Sequence, residues 1–379
     1  MKVIISAGGT GGHIYPALAI IHKIKQEEPN SEILYIGTKD RMEATIVPKE
    51  NIPYLGIDMK GLSRKNPFKN IEILNQYMKN VKLLKKKIKE FNPDVVVGVG
   101  GYVTAPVIYS AKKCGYKTFI HEQNSIPGLS NKFLSHYADK IGVSLPDSVQ
   151  YFPKNKTIFT GNPRSEEIIA SKSVDKKELG LPLSQNKKLV LIVMGSLGST
   201  TMNRKLKETL PLFSDKDYEV VFVTGKNYYD EYKKVKVSSN VHIVSYLDNM
   251  QQVLKKTDLI VSRAGASSIA EITALGIPNI LIPSPFVTHN HQFKNAQTLE
   301  KNEATVIIEE EKYDKNTLVN TIDTILGDKK YYDMLSKNCH KLGVKDSASK
   351  IYKILKELVV SGGKNERWIN TRVKKTRFG

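Results

Sequence analysis

One local pattern occurs twice in this chain: an apolar run leads into a glycine-rich turn that opens a helical stretch. The first copy reads VIISAGGTGG near the start, and the second, LVLIVMGSLGS, begins at Leu189. Glycines directly after a strand let the backbone turn tightly and approach a ligand closely. A strand, a glycine turn and a helix, in that order, form the opening unit of a doubly wound domain. Two copies therefore predict two such domains.

Short β-branched runs alternate with helical patterns through both halves of the chain. The runs cover residues 3–6, 33–36, 95–99, 118–120, 189–194, 220–224, 242–244, 259–262 and 279–283. Strands that alternate with helices form parallel sheets whose crossover helices cover both faces. The fold class expected is α/β, with two Rossmann-like doubly wound domains facing an interdomain cleft.

A polar, proline-containing stretch at residues 151–183 separates the two halves, and we place the domain boundary near residue 163. Residues 1–162 then form an N-terminal domain and residues 163–361 a C-terminal domain. The last helical pattern ends near Ser361. Residues 362–379 are basic and have no pattern of core residues, which predicts a flexible tail.

The formal net charge of the chain is +20, from 58 Lys and Arg against 38 Asp and Glu. Such a charge predicts an anionic partner: nucleic acid, an anionic lipid surface or a phosphorylated substrate. The chain has no zinc-finger spacing and no aromatic RNA-binding signature, which disfavours specific nucleic-acid binding. Lipid or phosphorylated substrate is the better expectation.

The compartment expected is a reducing cytoplasm. Cys114 and Cys339 lie outside any CxxC pattern, so neither a disulfide framework nor a zinc site is indicated. The first residues form a strand rather than the apolar core of a signal peptide. No apolar run approaches the length that a membrane-spanning helix needs, so any membrane role is expected to be peripheral.

Ligands of parallel α/β sheets bind at the carboxyl ends of strands, where this chain is polar and rich in glycine. The loops read GGTGGH, GVGGY and HEQN in the first half, and GSLG, SRAGA and residues 284–292 in the second. Six such loops predict a ligand cleft. Glycine amides at a helix N-terminus, as in the first loop, suit a diphosphate. We expect neither ATP nor NAD, and no cofactor, because the P-loop lysine is missing and Ile14 replaces a fingerprint glycine.

Glu271 belongs to the segment ASSIAE, which follows the strand-end Arg263. We expect its carboxylate in the first helical turn, where it suits the two hydroxyls of a ribose while serines and helix amides face phosphate. Ser268 and Glu271 also have the spacing of a capping box, which would explain both residues without a ligand. The residues alone leave both interpretations open.

Two further loop residues carry polar groups suited to a substrate. His13 ends the first glycine loop, where an imidazole either takes a proton or steadies a phosphate, or simply caps and packs. Asn124 offers amide hydrogen bonds to a sugar or a peptide, or forms an Asx turn. No metal site is predicted, because His289 and His291 have no third ligand at a familiar spacing.

Taken together, these loops resemble the MurG family, the N-acetylglucosaminyltransferases that complete the lipid-linked peptidoglycan precursor. The matching stretches, in order, are GGTGGHIYPALAI, GVGGYVTAPV, HEQNSIPGLSNK, GNPR, MGSLGS, SRAGASSIAEITALGIPNILIPSP and HNHQFKNA. The resemblance implies a GT-B fold with an N-terminal acceptor domain and a C-terminal donor domain. It also implies binding of UDP-N-acetylglucosamine without an essential metal.

By motif position, the resemblance implies substrate contacts from Thr10, Gly11, Gly12, Asn124, Arg164, Ser196, Leu247, Ala266, Ser267, Ser268, Ile269, Ala270, Glu271 and Gln292. Glu271 would hold the ribose hydroxyls, and His13 would be the catalytic base or a diphosphate contact. Many members of the family have a residue between the proline and arginine of GNP-x-Arg, whereas Arg164 follows Pro163 directly.

The acceptor implied is the undecaprenyl-diphosphate-linked N-acetylmuramoyl pentapeptide, glycosylated at its C4 hydroxyl with inversion. Two alternatives share the architecture and the donor motifs: a diacylglycerol glycosyltransferase and a UDP-sugar epimerase. The acceptor-side loops GGYVTAPV and HEQN favour the muramoyl substrate.

A lipid acceptor requires contact with a bilayer, and residues 68–91 predict a basic amphipathic helix. Its apolar residues recur at helical spacing beside six lysines: Ile71, Leu74, Tyr77, Met78, Val81, Leu84 and Ile88, with Lys79, Lys82, Lys85, Lys86, Lys87 and Lys89. Such a helix suits anionic lipid headgroups. A core-packed helix with a solvated lysine face is the alternative. We expect a peripheral protein on the cytoplasmic face of the cell membrane.

Overall fold

The computed structural model describes residues 1–61, 68–195, 198–232, 234–287 and 290–361. The chain divides into two compact units. Of the described residues, the first unit contains those up to 163 together with 346–361, and the second contains those between 164 and 345.

The first unit is built on a seven-stranded sheet with the strand order β3-β2-β1-β4-β5-β6-β7. Every pair of neighbours is parallel. The strands are β1 (Lys2–Ser6), β2 (Glu32–Thr38), β3 (Tyr54–Ile57), β4 (Val95–Gly98), β5 (Lys117–Glu122), β6 (Lys140–Val143) and β7 (Thr157–Phe159). The strand order reverses between β1 and β4, which is the point where doubly wound sheets bind ligands.

Helices cover both faces of this sheet, as parallel pairing requires. They are α1 (Gly11–Glu27), α2 (Met42–Lys49), α3 (Lys69–Phe91), α4 (Thr104–Lys113) and α5 (Leu129–Leu134), with a 3₁₀ segment at Pro146–Tyr151. The apolar runs predicted as strands form the central layer, and all four residues of β4 are buried. No helix in the part of the chain that the structure describes is long and apolar enough to cross a membrane.

The second unit repeats the plan with a six-stranded parallel sheet in the order β10-β9-β8-β11-β12-β13. Its strands are β8 (Lys188–Val193), β9 (Tyr218–Val223), β10 (Val241–Val244), β11 (Leu259–Ser262), β12 (Asn279–Leu281) and β13 (Val306–Ile307). Its helices are α6 (Arg164–Ala170), α7 (Thr200–Thr209), α8 (Tyr229–Tyr232), α9 (Met250–Leu254), α10 (Ala266–Leu275), α11 (His291–Glu300), α12 (Lys315–Gly327) and α13 (Lys329–Leu342). The order again reverses beside the first strand, between β8 and β11.

The last helix, α14 (Ser347–Ser361), packs on the first unit. Its apolar face, with Ile351 and Leu355 fully buried, joins the core formed by β1, β4 and α1. Glu28 after α1 accepts hydrogen bonds from Tyr352 Oη at 2.9 Å and Lys356 Nζ at 2.6 Å. This placement differs from the sequence expectation, which put residues 163–361 in one domain. An amphipathic pattern predicts a buried face but not which core receives it. The predicted tail, residues 362–379, lies outside the described residues.

Candidate functional site

The first glycine loop, residues 8–12, connects β1 to α1. The Gly8 amide donates to the Gly100 carbonyl at 3.2 Å, and the Gly9 amide donates to Glu43 Oε2 at 3.1 Å. Among the described residues, no group accepts from the amides of Thr10, Gly11 and Gly12. These amides lie at the N-terminus of a 17-residue helix, where the helix dipole also favours an anion.

The second glycine loop, residues 98–101, follows β4 and packs against the first. A Cβ on Gly101 would lie 2.3 Å from the Gly8 carbonyl oxygen, and one on Gly100 would lie 2.5 Å from His13 Cδ2. Both glycines also have positive φ, +89° and +105°. Contacts this close admit no side chain, so glycine is required at both positions for the loops to meet.

The ring of His13 lies on Gly100 and is oriented by the loop itself. Its Nδ1 is 3.1 Å from the carbonyl oxygen of Gly8 and 3.4 Å from Thr10 Oγ1. Because a carbonyl oxygen only accepts, Nδ1 carries the hydrogen in that contact. In the neutral ring, Nε2 is then the basic nitrogen, which is the tautomer that a general base needs.

The HEQN segment, which spans the end of β5 and the start of the following loop, is held by the buried side chains of His121 and Gln123. His121 is fully buried, with Nε2 3.0 Å from the Gly161 carbonyl oxygen and Nδ1 3.0 Å from Gln123 Nε2. Burial lowers the pKa of His121 to about 4, so its ring is neutral at pH 7. His121 is therefore a structural residue that orients Gln123.

Glu122 organises the rest of this loop, a role that its place in the sequence does not indicate. One carboxylate oxygen accepts from the Asn124 amide at 3.0 Å and from Asn124 Nδ2 at 3.3 Å. The other accepts from the Gly128 amide at 3.1 Å and from Asn131 Nδ2 at 2.8 Å. Asn124, which is partly exposed, thus has its side chain oriented by a buried carboxylate.

In the second unit, α10 begins at Ala266 with Gly265 as its N-cap, and Gly265 provides no side-chain cap. The capping-box interpretation of Ser268 and Glu271 is wrong, because Ser268 already lies inside the helix. Glu271 lies in the second turn, so its expected place in the first turn is also wrong. The buried Ser267 Oγ has no hydrogen-bond partner within the described residues. The side chains of Ile269 and Ala270 are buried, which leaves only their backbone for a ligand.

Glu271 is paired with Arg164, the first residue of α6. The guanidinium Nε and Nη2 donate to Glu271 Oε1 at 3.0 and 2.5 Å, and Nη1 pairs with Glu167. The two partners are 14% and 16% exposed. Burial raises the pKa of Glu271; Arg164 opposes this shift and Glu167 adds to it. Oε2 of Glu271 accepts no hydrogen bond within the described residues.

The remaining predicted contacts fall into three groups. Leu247, three residues after β10, is buried. Gln292, at the start of α11, accepts from the Ser284 amide at 2.9 Å, which ties it to the loop after β12. Ser196 lies outside the described residues, as does His289.

Arg263 has a structural role in the loop at the end of β11. Its guanidinium lies 2.6 Å from Glu310, and both side chains are buried. It also donates to Ser199 Oγ at 2.7 Å. Arg263 thereby connects β11 to the N-cap of α7.

An apolar patch is exposed at the N-terminal half of α3 and on α5. It is defined here as Phe68, Ile71, Leu74, Met78, Leu129 and Phe133, which are 42–83% exposed. A chain of ring contacts from Tyr77 through Tyr109 to Phe133 links the α3 part to the α5 part. The C-terminal half of the helix instead buries Val81, Leu84 and Ile88 in the core. The C-terminal half of α3 is therefore packed in the core, as the alternative interpretation expects, whereas the N-terminal half leaves apolar side chains exposed.

Family models match both units of the chain. Residues 3–143 match the glycosyltransferase family 28 N-terminal domain, and residues 189–351 match the glycosyltransferase family 28 C-terminal domain. A protein of Bacillus pumilus named UDP-N-acetylglucosamine--N-acetylmuramyl-(pentapeptide) pyrophosphoryl-undecaprenol N-acetylglucosamine transferase is 43% identical over 95% of this chain and 100% of its own length. The chain belongs to the MurG family. The resemblance drawn from its loops is confirmed.

Solved structures agree with the GT-B fold. The crystal structure of Acinetobacter baumannii MurG has a TM-score of 0.76 and 24% identity, covering 94% of this chain and 99% of that one. The UDP-GlcNAc 2-epimerase of Neisseria meningitidis, bound to UDP-GlcNAc, has a TM-score of 0.67 at 14% identity, covering 94% and 100%. At these identities the likeness concerns the fold alone. The predicted α/β class with two Rossmann-like domains is confirmed.

Proposed function

We propose that this protein is an inverting N-acetylglucosaminyltransferase. It would move N-acetylglucosamine from UDP-N-acetylglucosamine to the C4 hydroxyl of undecaprenyl-diphosphate-linked N-acetylmuramoyl pentapeptide. Full-length relatives that carry this activity in their names support the reaction. The observation in the structure that carries the proposal is the Glu271 carboxylate, held at one oxygen by Arg164 beside the N-terminus of α10.

On the second unit, the residues fit the nucleotide part of the donor. Glu271 Oε2 would accept from the ribose hydroxyls, while the first-turn amides of α10 and the Ser267 hydroxyl would donate to the diphosphate. Ala266, Ser268, Ile269 and Ala270 would contribute their backbone. Ser196, Leu247 and Gln292 complete the proposed donor contacts. Arg164 would act through Glu271, because its donors already point to the two glutamates.

On the first unit, His13 would remove the proton from the acceptor hydroxyl. The C4 oxygen attacks C1 of N-acetylglucosamine as the bond from C1 to the phosphate oxygen breaks, and UDP leaves with the bonding electrons. The proton passes to Nε2, the basic nitrogen of the tautomer that the Gly8 carbonyl selects. The amides of Thr10, Gly11 and Gly12 would stabilise diphosphate charge, and Asn124 would contact the substrate. A diphosphate contact by His13 is the alternative, and a raised KM with nearly native turnover in His13→Ala would favour it.

No step in this reaction calls for a cofactor, and we propose that it proceeds without a metal. The diacylglycerol and epimerase alternatives are not favoured, since the full-length relatives are named as transferases to the muramoyl lipid. We propose no specific binding of nucleic acid.

The experiment that tests the reaction follows radiolabel from UDP-N-acetylglucosamine into a short-chain prenyl-diphosphate muramoyl pentapeptide, with EDTA present. Glu271→Ala should lose most of the transfer. Glu167→Gln, which leaves both Arg164 bonds to Glu271 in place, should retain it. No transfer by the native protein, with UDP-N-acetylglucosamine still bound, would mean that the acceptor is wrong. Transfer that stops only with EDTA would contradict metal independence.

We also propose that the protein is peripheral at the cytoplasmic face of the membrane and docks there through the apolar patch. Exposed lysines follow the patch along α3, among them Lys79, Lys82, Lys86 and Lys89. Exposed apolar side chains beside basic residues suit the interface of an anionic bilayer. Changing these four lysines to glutamate should abolish sedimentation with phosphatidylglycerol vesicles.

The matched control for that experiment changes four exposed lysines of α13, Lys329, Lys330, Lys337 and Lys341, to glutamate. The change in net charge is the same, but the lysines beside the patch are untouched. Equal loss of sedimentation in both variants would reduce the effect to net charge and contradict docking through α3.

A further inference from the structure

We infer that Glu43 is a positioning residue for the first glycine loop, an inference that rests on the proposed function for the role of the loop in transfer. Glu43 lies in the first turn of α2 and is fully buried, with 0% of its surface exposed. A buried carboxylate is costly unless its oxygens are hydrogen-bonded. Its hydrogen bonds therefore indicate what it is there to hold.

Within the described residues, the hydrogen bonds of Glu43 go to the glycine loop and to the end of β2. Oε2 accepts from the Gly9 amide at 3.1 Å. Oε1 accepts from the Thr38 amide at 3.2 Å and from Thr38 Oγ1 at 2.7 Å. Within the described residues no cation forms a salt bridge with Glu43. The side chain thus joins the carboxyl ends of β1 and β2.

The glycines around Glu43 leave room for its carboxylate and nothing more. A Cβ on Gly8 would lie 2.3 Å from Glu43 Oε1, and a Cβ on Gly37 would lie 2.7 Å from Glu43 Cγ. Gly8 and Gly37 come from neighbouring strand ends, so both strands are shaped around this one side chain. Such close contacts fix where the carboxylate lies and, through Gly9, where the loop begins.

The backbone amides of the loop fall into two groups, those bonded to the protein and those without an acceptor among the described residues. Gly8 and Gly9 direct their N–H groups to protein acceptors, and Gly9 has a φ of +91°. Thr10, Gly11 and Gly12 follow with amides that no described residue accepts. Glu43 therefore defines the turn from which the proposed diphosphate donors project, although it touches no substrate itself. A shift of about 1 Å in such donors is enough to lower a rate by about 100-fold.

Glu43→Gln tests this with little change in volume. The glutamine side chain has only one oxygen, so its NH2 group must face either the Gly9 amide or the Thr38 amide. Two N–H donors then point at each other. Turnover should fall about 10- to 100-fold, because the loop amides are displaced from the diphosphate charge that they stabilise in the transition state. The KM for UDP-N-acetylglucosamine should change by less than about threefold.

Thr38→Val is the matched control. It removes a buried hydrogen bond from the same carboxylate but leaves the Gly9 contact in place. It should lower the thermal midpoint about as much as Glu43→Gln does while keeping near-native turnover. Equal loss of turnover in the two variants, or native turnover in Glu43→Gln, would overturn the positioning role.

Amide-resolved hydrogen exchange on the native full chain gives a readout that needs neither activity nor a folded variant. Gly9 and Gly11 are both partly exposed, but only the Gly9 amide is bonded to Glu43. Gly9 should exchange much more slowly than Gly11, and Glu43→Gln should abolish the difference where it folds. Equal rates in the native protein would refute the inference whatever substrate the protein uses. If the native protein transfers no sugar, the proposed function fails, and slow exchange at Gly9 would still support the placement of the loop.

Discussion

Replacing Arg164 by alanine should weaken donor binding through Glu271 rather than through a lost phosphate contact. The guanidinium makes two hydrogen bonds to Glu271 Oε1, at 3.0 and 2.5 Å, in a pair that is 14–16% exposed. A hydrogen bond to a charged group contributes about 1.5–3 kcal/mol, so losing the orientation of one ribose contact should raise the Kd for UDP-N-acetylglucosamine about 10- to 150-fold.

The same variant should acquire a pH dependence. Burial already raises the pKa of Glu271, and Arg164 opposes that shift, so removing Arg164 raises the pKa further. A higher pKa leaves less carboxylate at low pH. Calorimetric titration of Arg164→Ala with UDP-N-acetylglucosamine should therefore show affinity rising from pH 6 to pH 8 more steeply than in the native protein. Glu167→Gln removes a charge that raises the pKa of Glu271, and should leave affinity within about threefold of native.

A double-mutant cycle decides between this mechanism and a direct contact. If Arg164 acts through Glu271, adding Arg164→Ala to Glu271→Ala should produce almost no further loss of affinity. Additive losses would show that Arg164 touches the donor itself. Native affinity in Arg164→Ala would refute the reasoning altogether.

Two more predictions concern the first unit. The pKa of Glu28 is lowered from 4.5 to about 2, chiefly by its hydrogen bond with Lys356. The stabilisation that the Glu28 carboxylate provides is therefore complete above pH 4.5 and disappears as the pH falls towards about 2. In urea titrations, Glu28→Gln should be less stable than native protein at pH 7, with a smaller difference at pH 4; a gap independent of pH would contradict this. Gly100→Ala should lower turnover and stability more than Gly115→Ala, because both have positive φ but only a Cβ at Gly100 meets His13. If the two variants lose turnover and thermal stability equally, the requirement for glycine at position 100 comes from its positive φ alone.

The sheet layer could be predicted from the sequence because parallel strands buried on both faces are continuous apolar runs. The four strands that were missed, β3, β6, β7 and β13, lack such a run: β3 and β6 are interrupted by Gly56 and Gly142, and β7 and β13 have no fully buried residue. The glycine-rich loops at the strand ends were located for a related reason, because glycine and polar residues directly after a buried strand stand out from the apolar run. The position of Glu271 within α10 was not predictable, since a capping box and an N-cap glycine three residues earlier fit the same letters.

The buried acids were the harder case. Glutamate is usually a surface residue, so the sequence does not mark Glu43 and Glu122 as buried. Only the folded loops show that backbone amides from other segments donate to their carboxylates. For Glu43, the nearest signal in the sequence was Gly37, which lies inside β2. A glycine inside a strand suggests that another group comes close beside it. The pattern does not say which one.

The docking of α14 on the first unit determines the order in which the two units can fold during synthesis. The second unit, residues 164–345, is one continuous stretch, whereas the core of the first unit is completed only by Ile351 and Leu355. Translation proceeds from the N-terminus, so the second unit can finish folding while the first still lacks a helix. In stalled chains that end before Ser347, we expect the second unit to resist protease and the first unit to be cleaved. The part of the protein made first would then be the last to become stable.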